Sequence, residues 1–264
     1  MRPLRAAQWA FCVLVFLFLV APILAVVPLS FTSGTFLTYP LPGLSLRWYH
    51  DLFTAPEWIR SLKSSLIVGV AATVLAAVLG TLASIGLVRG RLPFSGLIMG
   101  LVLSPMIVPV IITAVGLYFL FAPLELTGTY AGLIVAHTVL ATPFVVITVS
   151  ASLQSFNDTL WRAAASLGAS PTTTFFRVVL PIIAPGVVSG CLFAFATSFD
   201  EVVTVILLAG PEQRTLPRQM FIGIRENFSP TITAAATFMI VVSCLTFWVV
   251  ELLRRRSERL RTGR

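Results

Sequence analysis

Between residues 157 and 181 the chain reads Asn157-Asp-Thr-Leu-Trp-Arg-Ala-Ala-Ala-Ser-Leu-Gly-Ala-Ser-Pro-Thr-Thr-Thr-Phe-Phe-Arg-Val-Val-Leu-Pro181. Asn157 is a good N-cap, because its side-chain oxygen can accept an orphan N–H of the first turn. Leu160 to Leu167 is a run of good helix formers, and Gly168 then supplies the position after a helix that favours left-handed backbone. Ser170-Pro171 is a second N-cap followed by proline at N1. The second helix is expected to run to about Leu180 and stop at Pro181. The stretch therefore reads as two short helices joined by a glycine turn, displaying Leu167, Phe175 and Phe176. Apolar groups displayed outside a bilayer mark a docking surface. A hairpin lying flat on lipid headgroups would use the same residues.

What flanks this hairpin is long and apolar. Stretches at about 9–31, 63–88, 96–121, 129–152, 182–208 and 232–253 each approach or exceed the roughly 20 residues that span a bilayer. Only 11% of residues are charged, against about a quarter in soluble domains, so lipid is the expected solvent. The expected architecture is all-α: one transmembrane domain over residues 1–264, with six spans and the hairpin at about 157–181 between the fourth and fifth. The first stretch follows Arg2 and Arg5 but exceeds a secretory h-region, and so reads as an uncleaved span.

The net charge of +8 is not a nucleic-acid footprint. Arg254, Arg255, Arg256, Arg259, Arg261 and Arg264 follow the last apolar stretch directly, as a topology anchor does. With a cytoplasmic N-terminus, Arg2, Arg5, Arg89, Arg91, Arg162, Arg177 and those six lie inside. Arg47, Arg60, Lys63, Arg214, Arg218 and Arg225 lie outside. Twelve against six places both termini in the cytoplasm. Cys12, Cys191 and Cys244 sit within apolar runs at no metal-ligand spacing and read as small core residues. Pro105, Pro109, Pro143 and Pro185 fall inside spans, where the carbonyls they free need a neighbouring helix or a watered cavity.

Arg162-Ala163-Ala164, Gly168 and Val178-Val-Leu180-Pro181 resemble the "EAA" loop of binding-protein-dependent ABC importer permeases, with the glycine and the Leu-Pro at matching spacing. The resemblance implies the type I importer permease fold. It also implies ATPase coupling through Arg162, Ala163, Ala164, Leu167, Gly168, Ala169, Phe175, Leu180 and Pro181. Arg162 departs from the motif, which has glutamate there, so any charge contact of that glutamate must be rewired. Leu103-Ser-Pro-Met-Ile-Val-Pro109, Ser198-Phe-Asp-Glu201, Arg214-Thr-Leu-Pro217 and Ser229-Pro-Thr-Ile232 are similar to the spermidine/putrescine permeases. The implied setting is a bacterial inner membrane. The implied partners are an ATPase dimer carrying ATP and magnesium, a second and related permease, and a periplasmic or lipid-anchored solute-binding protein. No cofactor is expected on this chain, and no nucleic-acid partner.

Asp200 and Glu201 are the carboxylates placed well inside an expected span, roughly 27 Å along a helix starting near Ile182. Charge near a bilayer centre costs about 2.5–3.5 kcal/mol by insertion scales, so such groups face a cavity or a partner. One reading is a cation site, with Asp200 attracting an ammonium and Phe195 or Phe199 offering a ring face. The other pairs the acids with an arginine, of this chain or of a partner subunit, to set gating. His137 is expected to make a helix–helix hydrogen bond. Lys63-Ser64 is preceded by Leu62 where a phosphate-binding loop requires glycine, and no hydrolase motif is present. The chain reads as a transport subunit rather than an enzyme. The competing reading is a stand-alone ion-coupled transporter or channel using Asp200, Glu201 and His137.

Overall fold

The computed structural model describes residues 2–90, 92–226 and 228–262, with side chains for all of these except 2–4, 6–7 and 253–262. Arg2, Arg91 and the tail arginines used in the orientation argument therefore lie outside the described side chains. The described residues are mostly helical, with no strand and one isolated bridge, Thr32 to Leu44, in the segment between the first two helices. The helices are α1 Arg2–Leu29, α2 Arg47–Thr54, α3 Pro56–Arg89, α4 Ser95–Ile107, α5 Val110–Phe121 and α6 Tyr130–Gln154. Then follow α7 Asp158–Ser166, α8 Pro171–Asp200, α9 Val203–Leu208, α10 Leu216–Glu226 and α11 Thr231–Thr262. Among the described residues five helices are long and apolar enough to cross a membrane, and six spans result if the bent pair α4–α5 is counted as one.

Three expectations are corrected. The stretch 96–121 is two helices meeting at 108° rather than one. Pro109 has no N–H and pushes the residue before it out of the helical region, and Val108 is accordingly extended at φ −71°, ψ 133°. The second hairpin helix does not stop at Pro181 but runs on as α8 to Asp200. Just ahead of Pro181 the chain widens into a π-turn over Phe175–Val179. That turn changes the hydrogen-bond spacing where proline would otherwise clash with the carbonyl four residues earlier. The expected span 182–208 is broken after Asp200: Glu201 is extended (ψ 123°) and α9 starts afresh at Val203. Asp200 and Glu201 thus stand at a helix break, not in mid-helix.

The chain divides into two compact units. One comprises residues 1–60 and 219–242. Within it, Trp48 Nε1 donates to Thr32 O at 2.8 Å, Ser30 and Tyr49 share a hydrogen bond of 2.7 Å, and Phe53 meets Phe238 edge-on. None of the apolar window of α1 is buried within the chain, which suits a helix with lipid or another subunit around it.

The other unit, residues 61–218 and 243–264, has α6 at its centre. Ala141, Val145, Val149 and Leu153 of α6 pack with Ala76, Phe156, Val179, Ile183 and Ala194. Small residues set the approach of α8: a Cβ on Gly190 would lie 2.5 Å from Thr148 Oγ1 and 2.9 Å from Val145 Cα. Gly186 faces Ser152 in the same way, and Gly80 brings α3 against Val145. This close backbone contact is how helices associate where burial from water gives no drive. A second cluster joins Val68 of α3, Phe121, Leu133 and Ala136 to Val205 and Leu208 of α9.

Candidate functional site: the hairpin and the acidic helix break

The hairpin is capped as its sequence dictates. Asn157 Oδ1 accepts from Thr159 N at 2.9 Å, and Ser170 Oγ accepts from Thr173 N at 3.2 Å. Gly168 sits at φ +78°, with its N–H donating to Ala165 O and the Ala169 N–H to Ala164 O. These bonds satisfy carbonyls that a helix end leaves open. Leu167 is 88% exposed and Phe176 64%. Arg162, Ala163 and Pro181 are exposed as well, with Ala164, Ala169 and Leu180 half-buried. Phe175 does not join the exposed face: it packs against the α6 core, with its ring edge-on to Phe176 at 5.0 Å.

Sequence reasoning counted Arg89 only as an orientation charge. Here it closes α3 and reaches the hairpin. Its Nη2 donates to Asp158 Oδ1 at 2.7 Å, and its Cζ stands 4.6 Å from the ring centre of Phe156 and 5.1 Å from that of Trp161. The only sign in the sequence is an arginine ending a long apolar stretch.

At the break, Glu201 Oε1 accepts from Thr204 N at 2.8 Å and so caps α9. A carboxylate at a helix N-terminus is favoured by the orphan N–H groups and the dipole there. Asp200 makes no such bond among the described residues and is exposed. The two adjacent acids therefore differ in role: Glu201 is engaged within the chain and Asp200 is open. Phe195 and Phe199 stack at 5.3 Å with planes 22° apart. Phe199 is only 4% exposed, so of the two proposed ring faces that of Phe195 is the more open. Phe195 also lies against Gly69 of α3, where a Cβ would come within 3.2 Å. Two residues before Asp200, Ser198 Oγ and His137 Nδ1 share a buried hydrogen bond of 2.7 Å, and His137 Nε2 has no partner among the described residues.

The segment after α9 is tied down by polar contacts. Gly128 N donates to Leu208 O, Gly210 N to Gln213 Oε1, and Leu216 N to Ser65 Oγ at 2.7 Å. Arg218 Nη1 donates to Ala209 O and Gly210 O, both at 2.9 Å. Burial first, and then the charge of Arg214, lower the basicity of Arg218. Among the described residues no cluster of three His, Cys, Asp or Glu side chains is arranged to hold a metal ion.

Residues 76–259 match the model of the family described as "Binding-protein-dependent transport system inner membrane component". The chain is 33% identical over 268 residues to the putrescine transport system permease protein PotI of Escherichia coli (strain K12), covering 98% of this chain and 95% of that protein. It is 31% identical over 249 residues to the spermidine/putrescine transport system permease protein PotC of Haemophilus influenzae, covering 94% and 96%. Among solved structures, a chain of a bacterial ABC transporter involved in the import of the acidic polysaccharide alginate superposes with a TM-score of 0.76. The identity there is 15%, with 95% and 96% of the two chains covered.

Proposed function

Because the chain belongs to the family of binding-protein-dependent transport system inner membrane components, we propose that it forms half of the import path for a polyamine such as putrescine or spermidine. The path is driven by a separate ATPase dimer that binds ATP and magnesium. The other half is a second, related permease, and a periplasmic or lipid-anchored binding protein delivers the solute. Residues 1–264 act as one permease domain with both termini cytoplasmic. The names of two relatives support the polyamine, and Asp200 supplies the charge an ammonium group would seek.

One observation carries the mechanism: the hairpin runs into α8 without interruption, and α8 ends at the acidic break. From Pro171 to Asp200 is about 44 Å at 1.5 Å per residue. When the ATPase dimer closes, its groove pushes the surface made by Arg162, Ala163, Ala164, Leu167 and Phe176. Gly168 and Ala169 hold the turn, Phe175 anchors it to the core, and Leu180 and Pro181 lead into the span. The displacement reaches Asp200 along one helix. There the break re-orients the path lined by Asp200 and Phe195, with Phe199 packed behind and Glu201 holding the start of α9. No bond is made or broken on this chain. A stand-alone ion-coupled transporter would have no use for an exposed Leu167 and Phe176 on a capped hairpin.

The test is ATP-dependent uptake of labelled putrescine and spermidine by liposomes holding the reconstituted complex, wild type beside Gly168→Val. Uptake by wild type and its loss in the variant, together with lost ATPase assembly, is the expected result. Uptake by this chain alone, without ATP and indifferent to Gly168, overturns the importer reading. ATP-driven uptake of a different solute removes the polyamine only.

A further inference from the structure

The three contacts of the Arg89 guanidinium all lie in the hairpin or the turn that leads into it, whereas Arg89 itself ends α3. Asp158 is 77% exposed while the Arg89 side chain is 20% exposed. An ion pair with a solvated carboxylate adds little by itself. A guanidinium held over two aromatic rings is a firmer attachment, and its planar fork can stack and pair at once, which an ammonium cannot.

The other end of the attachment is α3. Val68 belongs to the same buried cluster as Val205 and Leu208 of α9, together with Phe121, Leu133 and Ala136, and Gly69 packs against Phe195 of α8. From Arg89 back to Val68 is about 31 Å of uninterrupted helix. A second rod thus joins the hairpin to the acidic break, and it shares a buried cluster with the far side of that break. α8 reaches only the near side, ending at Asp200. If the hairpin drove α8 alone, Glu201 and Val202 would absorb the motion by bending. If it drives α3 as well, the two sides of the break move in register.

We propose that Arg89 is a positioning residue for energy coupling: it clamps α7 to α3 so that a push on the hairpin is delivered to both sides of the break. This rests on the importer reading above. It is a property of α3, which lies outside the hairpin and outside the motif that carries the family resemblance.

The experiment measures ATP hydrolysis and solute uptake on the same proteoliposomes for wild type, Arg89→Gln, Arg89→Lys and Asp158→Asn. Hydrogen exchange at residues 159–168 is measured on the purified chain. Arg89→Gln is expected to keep hydrolysis within about twofold while uptake per ATP falls about tenfold, the scale of a typical coupling free energy. Arg89→Lys should recover only part of the loss, and Asp158→Asn should cost about twofold because both rings remain. Exchange in the hairpin should quicken about tenfold in Arg89→Gln, as for a local opening that has lost its anchor. An unchanged uptake-to-hydrolysis ratio overturns the proposal, as does a uniform fall in assembly, melting temperature and both activities. A wild-type complex without ATP-driven uptake would end the importer reading instead. Hairpin exchange would then still decide the clamp, and unchanged exchange in Arg89→Gln would refute it.

Discussion

His137 on α6 and Ser198 on α8 share a hydrogen bond of 2.7 Å between Nδ1 and Oγ, with both side chains buried. It joins two helices otherwise in contact through glycines, aliphatic side chains, Thr148 and Ser152, and the stacked rings of Phe144 and Phe193, and it lies two residues from Asp200. Hydrogen bonds between transmembrane helices are worth about 0.6 kcal/mol on average and reach about 1.7. The double-mutant cycle His137→Leu, Ser198→Ala should give a coupling energy in that range, read from thermal unfolding of the purified chain. Each single variant should destabilise more than its share, because each leaves a buried polar atom unpaired.

Gly168 combines a positive φ of +78° with open space around its Cβ direction. The constraint is therefore backbone conformation and not a clash. Left-handed backbone costs a β-branched residue more than asparagine, which visits that region readily. Gly168→Asn should keep most of the uptake, and Gly168→Val should lose most of it. ATPase assembly in pull-down should follow the same order. Equal behaviour of the two would mean that the turn geometry does not matter for docking.

Asp200 and Glu201 are predicted to separate by kind of defect. Glu201→Ala removes the cap on Thr204 N and should destabilise by about 1 kcal/mol, within the usual range for a lost N-cap. Glu201→Gln keeps an oxygen acceptor and should be milder, because the capping bond can persist. Asp200→Asn should leave the melting temperature near wild type and raise the KM for putrescine about tenfold, as expected for losing a partly desolvated charge–charge contact. A reversed pattern would exchange the roles of the two acids.

Gly190 is tightly enclosed by Thr148 and Val145. Gly190→Ala is expected to cost about 1–3 kcal/mol, the usual penalty for forcing a methyl group into packed space. Gly190→Leu should prevent recovery of monodisperse protein in size-exclusion chromatography. Gly96 and Gly100, with nothing within 4 Å, are the controls: alanine there should leave the elution profile unchanged.

Local chemistry accounts for what the sequence made legible. Asn157, Gly168, Ser170 and Pro171 act through hydrogen bonds and dihedral preferences within a few residues, and each takes the place its type implies. Hydropathy marks the apolar stretches, since it depends on composition alone, but not where two of them break. The errors arose where two local rules competed. As a proline, Pro181 signals a stop, yet the π-turn ahead of it lets the helix pass. Pro109 was read as a tolerated interruption, yet it turns the chain by 108°. The meeting of Arg89 with Asp158, 69 residues apart, depends on tertiary packing, as does the place where the helix breaks after Asp200. No window of residues contains that information, whereas the bond of Glu201 to Thr204 N is local once that break is made.

The π-turn at Phe175–Val179 also has a rotational meaning. A π-turn accommodates one residue more than an α-helix of the same path, and one residue corresponds to about 100° around a helix axis. Restoring uniform α-helix there would swing the chain ahead of it, hairpin included, by that angle relative to the face carrying Phe195 and Asp200. This single irregular turn therefore fixes the angular phase between the end of the helix that is pushed and the end that responds.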